Sequence, residues 1–235
     1  MNKDNYKDQF ISHMVNEVQT PLKAILKFSE GLIKNPTDIN NQEKYLKLIH
    51  HSAKNLENII NDVSDISKIQ EGTLSIHKEK INLRQLLSQN FEIFRAKAKE
   101  KYIRYSIAFG KDLPEYISTD ELRLSQVISN LLSNAIKFTP DKGFVKLEVV
   151  YNSKDSILKI FVDDNGPGIP KSKQDLIFKP FIDNNSSTSF EKSRTGLGLS
   201  ISLSIIELLN GKMSFKSTEN EGSTFSFEIP VNINN

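Results

Sequence analysis

The run S-N-L-L-S-N-A-I-K-F-T, Ser129 to Thr139, mixes core residues with amides in a way that a helix sorts onto two faces. Asn130, Asn134 and Lys137 stand at i, i+4 and i+7 and therefore share one face. Val127, Leu131 and Leu132 take the other, toward a core. Two amides and an ammonium together suit a magnesium-bound polyphosphate, because Mg²⁺ takes hard oxygen ligands and keeps several waters and the phosphates. Asn-x-x-x-Asn by itself is equally an ordinary solvated helix face.

Two stretches downstream extend the pattern. D-D-N-G-P-G-I-P (Asp163 to Pro170) closes a strand-like run, Ile157 to Asp163. Gly166 and Gly168 permit backbone angles and close approaches that a Cβ would block. A carboxylate beside such a turn accepts a hydrogen bond from an exocyclic amine such as that of adenine. R-T-G-L-G-L-S (Arg194 to Ser200) feeds an apolar helix expected over Gly196 to Leu209. A Gly-rich turn at a helix N-terminus offers free N–H groups and the positive end of the dipole to phosphate. Singly, these two read as a surface turn and a capped helix. In this order, in one chain, the three stretches point to a nucleotide pocket. Between the second and third, Asp183 to Ser193 is rich in Asn, Ser and Thr, lacks apolar periodicity and reads as a mobile loop.

The character of the chain changes at Gly72. Before it, from about Asp4 to Lys34, Ile11, Val15, Val18, Leu22, Ile25 and Leu32 form one seam on 4-3 spacing. Pro21 removes a donor from that helix and predicts a kink beside residues 16 to 20. Asn35-Pro36-Thr37-Asp38 stops it. A second seam (Tyr45, Ile49, Ser52, Leu56, Ile59, Val63, Ile66) runs from about Asn41 to Gln70, with Gly72 suited to a left-handed cap. An antiparallel hairpin of this kind cannot cover both of its stripes. Pairing with a second copy into a four-helix bundle is expected, the alternative being that it packs on its own chain.

Beyond Gly72, helix and strand alternate. Strands are expected over Leu74 to Lys80, Tyr102 to Phe109, Gly143 to Tyr151 and Ile157 to Asp163, with a closing hairpin of Met213 to Ser217 and Thr224 to Ile229. Asn82 caps a helix reaching about Lys101, and Asp120 caps Glu121 to Phe138. The expected architecture is a helical hairpin, residues 1–72, followed by an α/β two-layer sandwich, residues 73–235.

Composition excludes several classes. A formal net charge of +2 leaves no basic stripe for nucleic acid. Without cysteine there is no disulfide framework, thiolate metal site or thiol nucleophile. No histidine pair has a carboxylate at metal-ligand spacing, so no transition-metal site is expected. No run approaches the roughly 18 apolar residues of a membrane span, and the N-terminus lacks a signal peptide's apolar core. The expectation is a cytoplasmic chain or the cytoplasmic piece of something longer.

The succession N-L-L-S-N-A-I-K-F-T, D-N-G-P-G-I, I-F-K-P-F, T-G-L-G-L-S resembles the catalytic and ATP-binding domain of sensor histidine kinases, in the ATPase superfamily shared with gyrase, Hsp90 and MutL proteins. It covers about Leu74 to Val231. The resemblance implies ATP and Mg²⁺ as cofactors. Asn134 would ligate Mg²⁺, with Asn130 and Lys137 beside the phosphates. Asp164 would hold the adenine amine, with Gly166 and Gly168 leaving room for the ring. Phe178 and Phe181 would anchor a lid, Thr195, Gly196, Leu197, Gly198 and Leu199 would cover the phosphates, and Thr224 would sit near the adenine end. Arg194 stands where the family often has Gly, which bears on the lid hinge.

F-I-S-H-M-V-N-E-V-Q-T-P-L-K-A-I (Phe10 to Ile25) resembles the dimerisation and phospho-acceptor helix of the same kinases, where the pattern runs His-Glu-x-Arg-Thr-Pro-Leu. Gyrase and Hsp90 relatives lack it. The implied partners are a second copy, through the hairpin, and the receiver domain of a response regulator. The implied setting is the cytoplasm, either free or as the cytoplasmic part of a longer membrane sensor. The acceptor position is Asn16, and Gln19 replaces the usual basic residue. An imidazole attacks phosphorus with a ring-nitrogen lone pair, helped by a neighbouring carboxylate. The amide lone pair of Asn16 is delocalised into its carbonyl, so autophosphorylation is expected to be lost. His13 lies on nearly the same face but is followed by Met14 rather than an acid, and is a poor substitute. Glu17 and Thr20 remain. That pair resembles the one that helps water attack a regulator's phosphoaspartate. Two origins fit Asn16: a substitution in a native kinase, or a natural pseudokinase serving as an ATP-binding signalling scaffold.

Overall fold

The structure, a computed structural model, describes residues 3–34, 39–180 and 196–233, and leaves the side chains of residues 3–11, 13, 39 and 40 undescribed. Phe181, Arg194, Thr195 and the expected loop Asp183 to Ser193 lie outside the described residues, as do the stop signal at residues 35–38 and the His13 side chain. The chain divides into two compact units, residues 1–74 with 179–198 and residues 75–178 with 199–235.

The first unit is built on two 32-residue helices, α1 (Lys3–Lys34) and α2 (Ile39–Gln70). Pro21 is buried within α1, which runs on through it. The helices meet closely where the Tyr45 ring lies over Gly31: a Cβ there would be 2.9 Å from the ring. Phe28 packs on the same tyrosine, with ring centroids 5.6 Å apart. Ser52, Ile59 and Ile66 of the second seam are buried. The first seam behaves differently, since Val15 is 47% exposed and Leu22 43%. Leu26, Ile33, Leu46 and Ile60 are also exposed. One hairpin therefore leaves an apolar stripe uncovered. Gly72 ends the bundle at φ +67, with the N–H of Thr73 donating to Lys68 O at 2.8 Å.

The second unit runs β1 (Glu79–Asn82), α3 (Leu83–Glu100), β2 (Arg104–Phe109), β3 (Tyr116–Thr119), α4 (Glu121–Phe138), β4 (Phe144–Asn152), β5 (Ile157–Asp164), the short α5 (Lys171–Gln174), α6 (Gly198–Leu208), β6 (Lys212–Thr218) and β7 (Gly222–Pro230). Five strands form one sheet in the order β2-β4-β5-β7-β6, with β2 and β4 parallel and the other pairs antiparallel. Alternation gives the sheet two unlike faces. Val145, Leu147 and Val149 of β4 and Leu158, Ile160 and Val162 of β5 are almost fully buried. The opposite face carries polar pairs, among them Lys146–Glu148 at 2.6 Å and Lys159–Glu228 at 2.8 Å. Helices cover the apolar face, α3 beside β2 and α4 beside β4 and β5. This is the two-layer sandwich expected.

Both helix caps form as the sequence predicts. Asn82 accepts from Gln85 N at 2.9 Å and Asp120 from Arg123 N at 3.0 Å. The first expected strand does not form over Leu74 to Lys80. It is displaced to Glu79–Asn82, where it pairs with β3 rather than with the large sheet. Upstream of it the His77 N–H donates to the second carboxylate oxygen of Asp120 at 2.9 Å instead of entering a ladder. β2 starts at Arg104 rather than Tyr102, which sits at φ +54, a conformation no strand contains. α6 begins two residues later than expected, at Gly198.

Candidate functional site

The site grows from the C-terminal ends of α4 and β5. α4 is held by side-chain hydrogen bonds from two neighbours. On one side the buried Asn90 of α3 accepts from Ser125 Oγ at 2.9 Å and from Ser129 Oγ at 2.7 Å, and its own amide donates to Leu86 O. On another, Asn130 Nδ2 donates to Ser202 Oγ of α6 at 2.9 Å. The last turn is held by Lys101, whose ammonium donates to the carbonyls of Ile136, Lys137 and Thr139 at 2.9, 3.1 and 2.5 Å. A cation here also meets the negative end of the helix dipole. Asn130, Asn134 and Lys137 are all partly exposed on the face opposite the buried Leu131, Leu132 and Ala135. The Lys137 ammonium lies 5.2 Å from the centre of the Phe138 ring.

The turn after β5 closes against that same end of α4. Asp164 Oδ1 accepts from Gly166 N at 2.8 Å. A Cβ on Gly166 would be 2.7 Å from that oxygen and 3.2 Å from Phe138 O. Gly168, at φ +65, abuts the Thr218 carbonyl, where no side chain fits. The turn is pinned to the β6–β7 hairpin by Asn220 N to Pro167 O at 2.7 Å and Ile169 N to Ser217 Oγ at 2.8 Å. Burial pushes the Asp164 carboxyl up to about 6, against the lowering effect of the Gly166 and Ser223 backbone N–H groups. A carboxyl held in such a place is a feature of binding sites.

The structure thus brings Asp164, Gly166 and Gly168 together and sets them against the end of the helix carrying Asn130, Asn134 and Lys137. Phe178 packs edge-on to Phe215 at 5.8 Å, and Phe215 stacks on Phe225. Leu199 lies in the first turn of α6. Gly196, Leu197 and Gly198 group with the first unit. Register separates two neighbours on β7. Thr224 pairs with Asp163 and shares its face, whereas Ser223 pairs with Asp164. Ser223, buried and 2.9 Å from Ser217 Oγ, is the β7 hydroxyl on the Asp164 face. Sequence reading missed it because nothing local fixes strand register. The donor set fits Mg²⁺ and ATP: amide oxygens and a lysine for the metal-bound phosphates, a carboxylate for the amine, and a turn shaped by the lack of two Cβ atoms.

Comparison with known proteins agrees. Residues 119–233 match the family described as Histidine kinase-, DNA gyrase B-, and HSP90-like ATPase, and residues 6–72 match the His Kinase A (phospho-acceptor) domain. The chain belongs to the sensor histidine kinases. It is 37% identical over 226 residues to the autoinducer 2 sensor kinase/phosphatase LuxQ of Vibrio vulnificus, covering 94% of this chain and 26% of that protein. With the histidine-protein kinase BarA of Escherichia coli it shares 34% over 234 residues, 97% of this chain and 25% of BarA. It therefore spans about a quarter of the curated relatives it matches. Among solved structures, full-length ShkA in complex with AMPPNP superposes with a TM-score of 0.72 at 25% identity, over 97% of this chain and 46% of that one. Histidine kinase ThkA in complex with the response regulator TrrA gives 0.65 at 26%, over 94% and 61%.

In this histidine kinase Asn16 is an exposed residue of α1, and its carbonyl accepts from Thr20 Oγ1 at 3.1 Å. Glu17 is partly buried one residue on. Among the described residues no helix is long and apolar enough to cross a membrane, and no group of His, Cys, Asp and Glu is placed to hold a metal ion.

Proposed function

We propose that this chain is the cytoplasmic core of a two-component sensor kinase that binds Mg·ATP, pairs with a second copy through its hairpin and acts on the receiver domain of a response regulator. The observation that carries the nucleotide reading is the closure of the Asp164 turn on the last turn of α4, where Phe138 O abuts Gly166. It supports a shared site for the carboxylate and the amide face, 30 residues apart at Asn134 and Asp164. The complex of the ShkA relative with AMPPNP and that of ThkA with its regulator support the two partners. The uncovered stripe at Val15, Leu22 and Leu26 supports the dimer.

In the ordinary cycle of such a kinase the γ-phosphate passes to a histidine nitrogen and then to an aspartate. Here Asn16 offers no nucleophilic lone pair and autophosphorylation is lost. Glu17 and Thr20 stay on the same helix, four residues or fewer from Asn16, and the regulator's phosphoaspartate is still hydrolysed. The test is nucleotide binding with and without Mg²⁺ for the full chain and for Asp164→Ala. Binding by the first and none by the second is expected, and equal binding refutes the site. Asn16→His with labelled ATP then separates a disabled kinase, which acquires acid-labile label, from an ATP-binding scaffold, which does not. A phosphorylated regulator whose decay rate is unchanged by this chain ends the phosphatase reading.

A further inference from the structure

We propose that Ser202 is a positioning residue: its hydroxyl tethers the Asn130 amide and so holds the Mg²⁺–phosphate face of α4 in register with α6. The inference deepens the nucleotide reading above and rests on it. Ser202 is 2% exposed, and its Oγ receives the Asn130 Nδ2 donor at 2.9 Å across 72 residues of sequence. An asparagine side chain turns about two bonds, so a partly exposed amide on a helix face samples several directions. Anchoring one polar atom to a buried hydroxyl removes most of them, and the amide oxygen is then held on the face it shares with Asn134 and Lys137. Ordering paid for in the fold is not paid again when a ligand binds.

The placement of Ser202 adds a second consequence. It stands one turn into α6, four residues after Gly198, the first residue of that helix. The Asn130–Ser202 bond thus joins the side-chain face of α4 to the body of α6, both within the second unit. Asn90 grips α4 from α3 through Ser125 and Ser129. That bond fixes the helix, whereas Ser202 takes hold of a residue of the site itself.

The test is a double-mutant cycle on the full chain, with AMP-PNP titrated calorimetrically in Mg²⁺ and in EDTA. The readout is the factor by which Mg²⁺ tightens binding. Ser202→Ala is expected to reduce that factor about fivefold, the weight of one neutral hydrogen bond, and to leave the EDTA affinity within about twofold. Asn130→Ala is expected to reduce it at least as much, and adding Ser202→Ala to Asn130→Ala to change nothing more. Equal loss in Mg²⁺ and EDTA would mark Ser202 as merely structural, and an unchanged factor or additive losses would equally overturn the inference. Failure of the unaltered chain to bind AMP-PNP at all would overturn the nucleotide reading, a result distinct from the other three.

Discussion

Asp164 gives the nucleotide site two pH dependences of opposite sign. Its carboxyl is raised from 3.8 to about 6, with burial as the main cause. Below 3.8 the group is protonated in folded and unfolded chains alike. Between 3.8 and about 6 the folded chain holds a proton that the unfolded chain has released, so this group lowers stability progressively as pH rises through that window. Above about 6 the cost is constant. The full displacement corresponds to about 3 kcal/mol. Solvent contact at the partly exposed carboxyl reduces the expected swing to about 2 kcal/mol. Binding runs the other way. An ionised carboxylate accepts from an exocyclic amine, and a protonated one has lost its best acceptor. With a group titrating near 6, the ionised fraction falls about tenfold between pH 7 and pH 5, and affinity falls with it.

The perturbation is Asp164→Asn, which keeps an oxygen for the Gly166 N–H but cannot ionise. Urea melts at pH 4.5 and pH 7 are expected to show the unaltered chain losing about 1 kcal/mol more than Asp164→Asn as pH rises. AMP-PNP titrations at pH 5 and pH 7 are expected to show its affinity advantage over the variant shrinking about tenfold as pH falls. Titration of the nucleotide's own phosphates is common to both proteins and cancels in the ratio. Parallel profiles for the two proteins in both assays would refute the reading of Asp164 as a half-buried, adenine-facing carboxylate.

Three further outcomes are expected. Gly168→Ala forces a side chain to φ +65 against the Thr218 carbonyl, and a loss of at least about 2 kcal/mol in urea unfolding is expected. Lys101→Met strips three carbonyls of one charged donor and should cost about 2–3 kcal/mol, with Lys101→Arg recovering part of it. Leu26→Glu places a charge on the exposed stripe of α1. Sedimentation should show the dimer weakened by at least tenfold while the second unit still binds nucleotide.

Much of the fold is legible because its signals are local. Asn82 and Asp120 announce their helices within three residues, and the alternation of Val145, Leu147 and Val149 identifies a half-covered strand without reference to any partner. Gly72 stops a helix where its positive φ is needed. The errors have a common origin. Leu74 to Lys80 alternates convincingly, yet a ladder needs a partner, and here the His77 N–H goes to Asp120, more than 40 residues on. β3 is four residues long and carries too few periods to be seen. The apolar stripe of α1 was visible, but its 4-3 spacing does not say whether one chain or two would cover it.

The candidate site divides along the same line. Motifs carry the residues that would touch a ligand because backbone geometry demands them: glycines where a Cβ collides, amides four apart where a helix face must be polar. The groups that hold these in place are polar side chains and backbone N–H groups, and they have no spacing at all. Asn90 meets Ser129 across 39 residues, Lys101 meets Thr139 across 38, Ile169 meets Ser217 across 48 and Asn130 meets Ser202 across 72. A serine in an apolar helix such as α6 reads from sequence as a tolerated substitution. Only the approach of Asn130 on α4 makes it a partner. Ser223 and Thr224 show the limit most sharply: two adjacent hydroxyl residues differ in which face of the sheet they occupy, and that difference belongs to the register of β5 on β7, not to any property of either residue. Chemistry at a nucleotide is therefore legible one layer deep, and the layer behind it has to be read from hydrogen bonds that join distant parts of the chain.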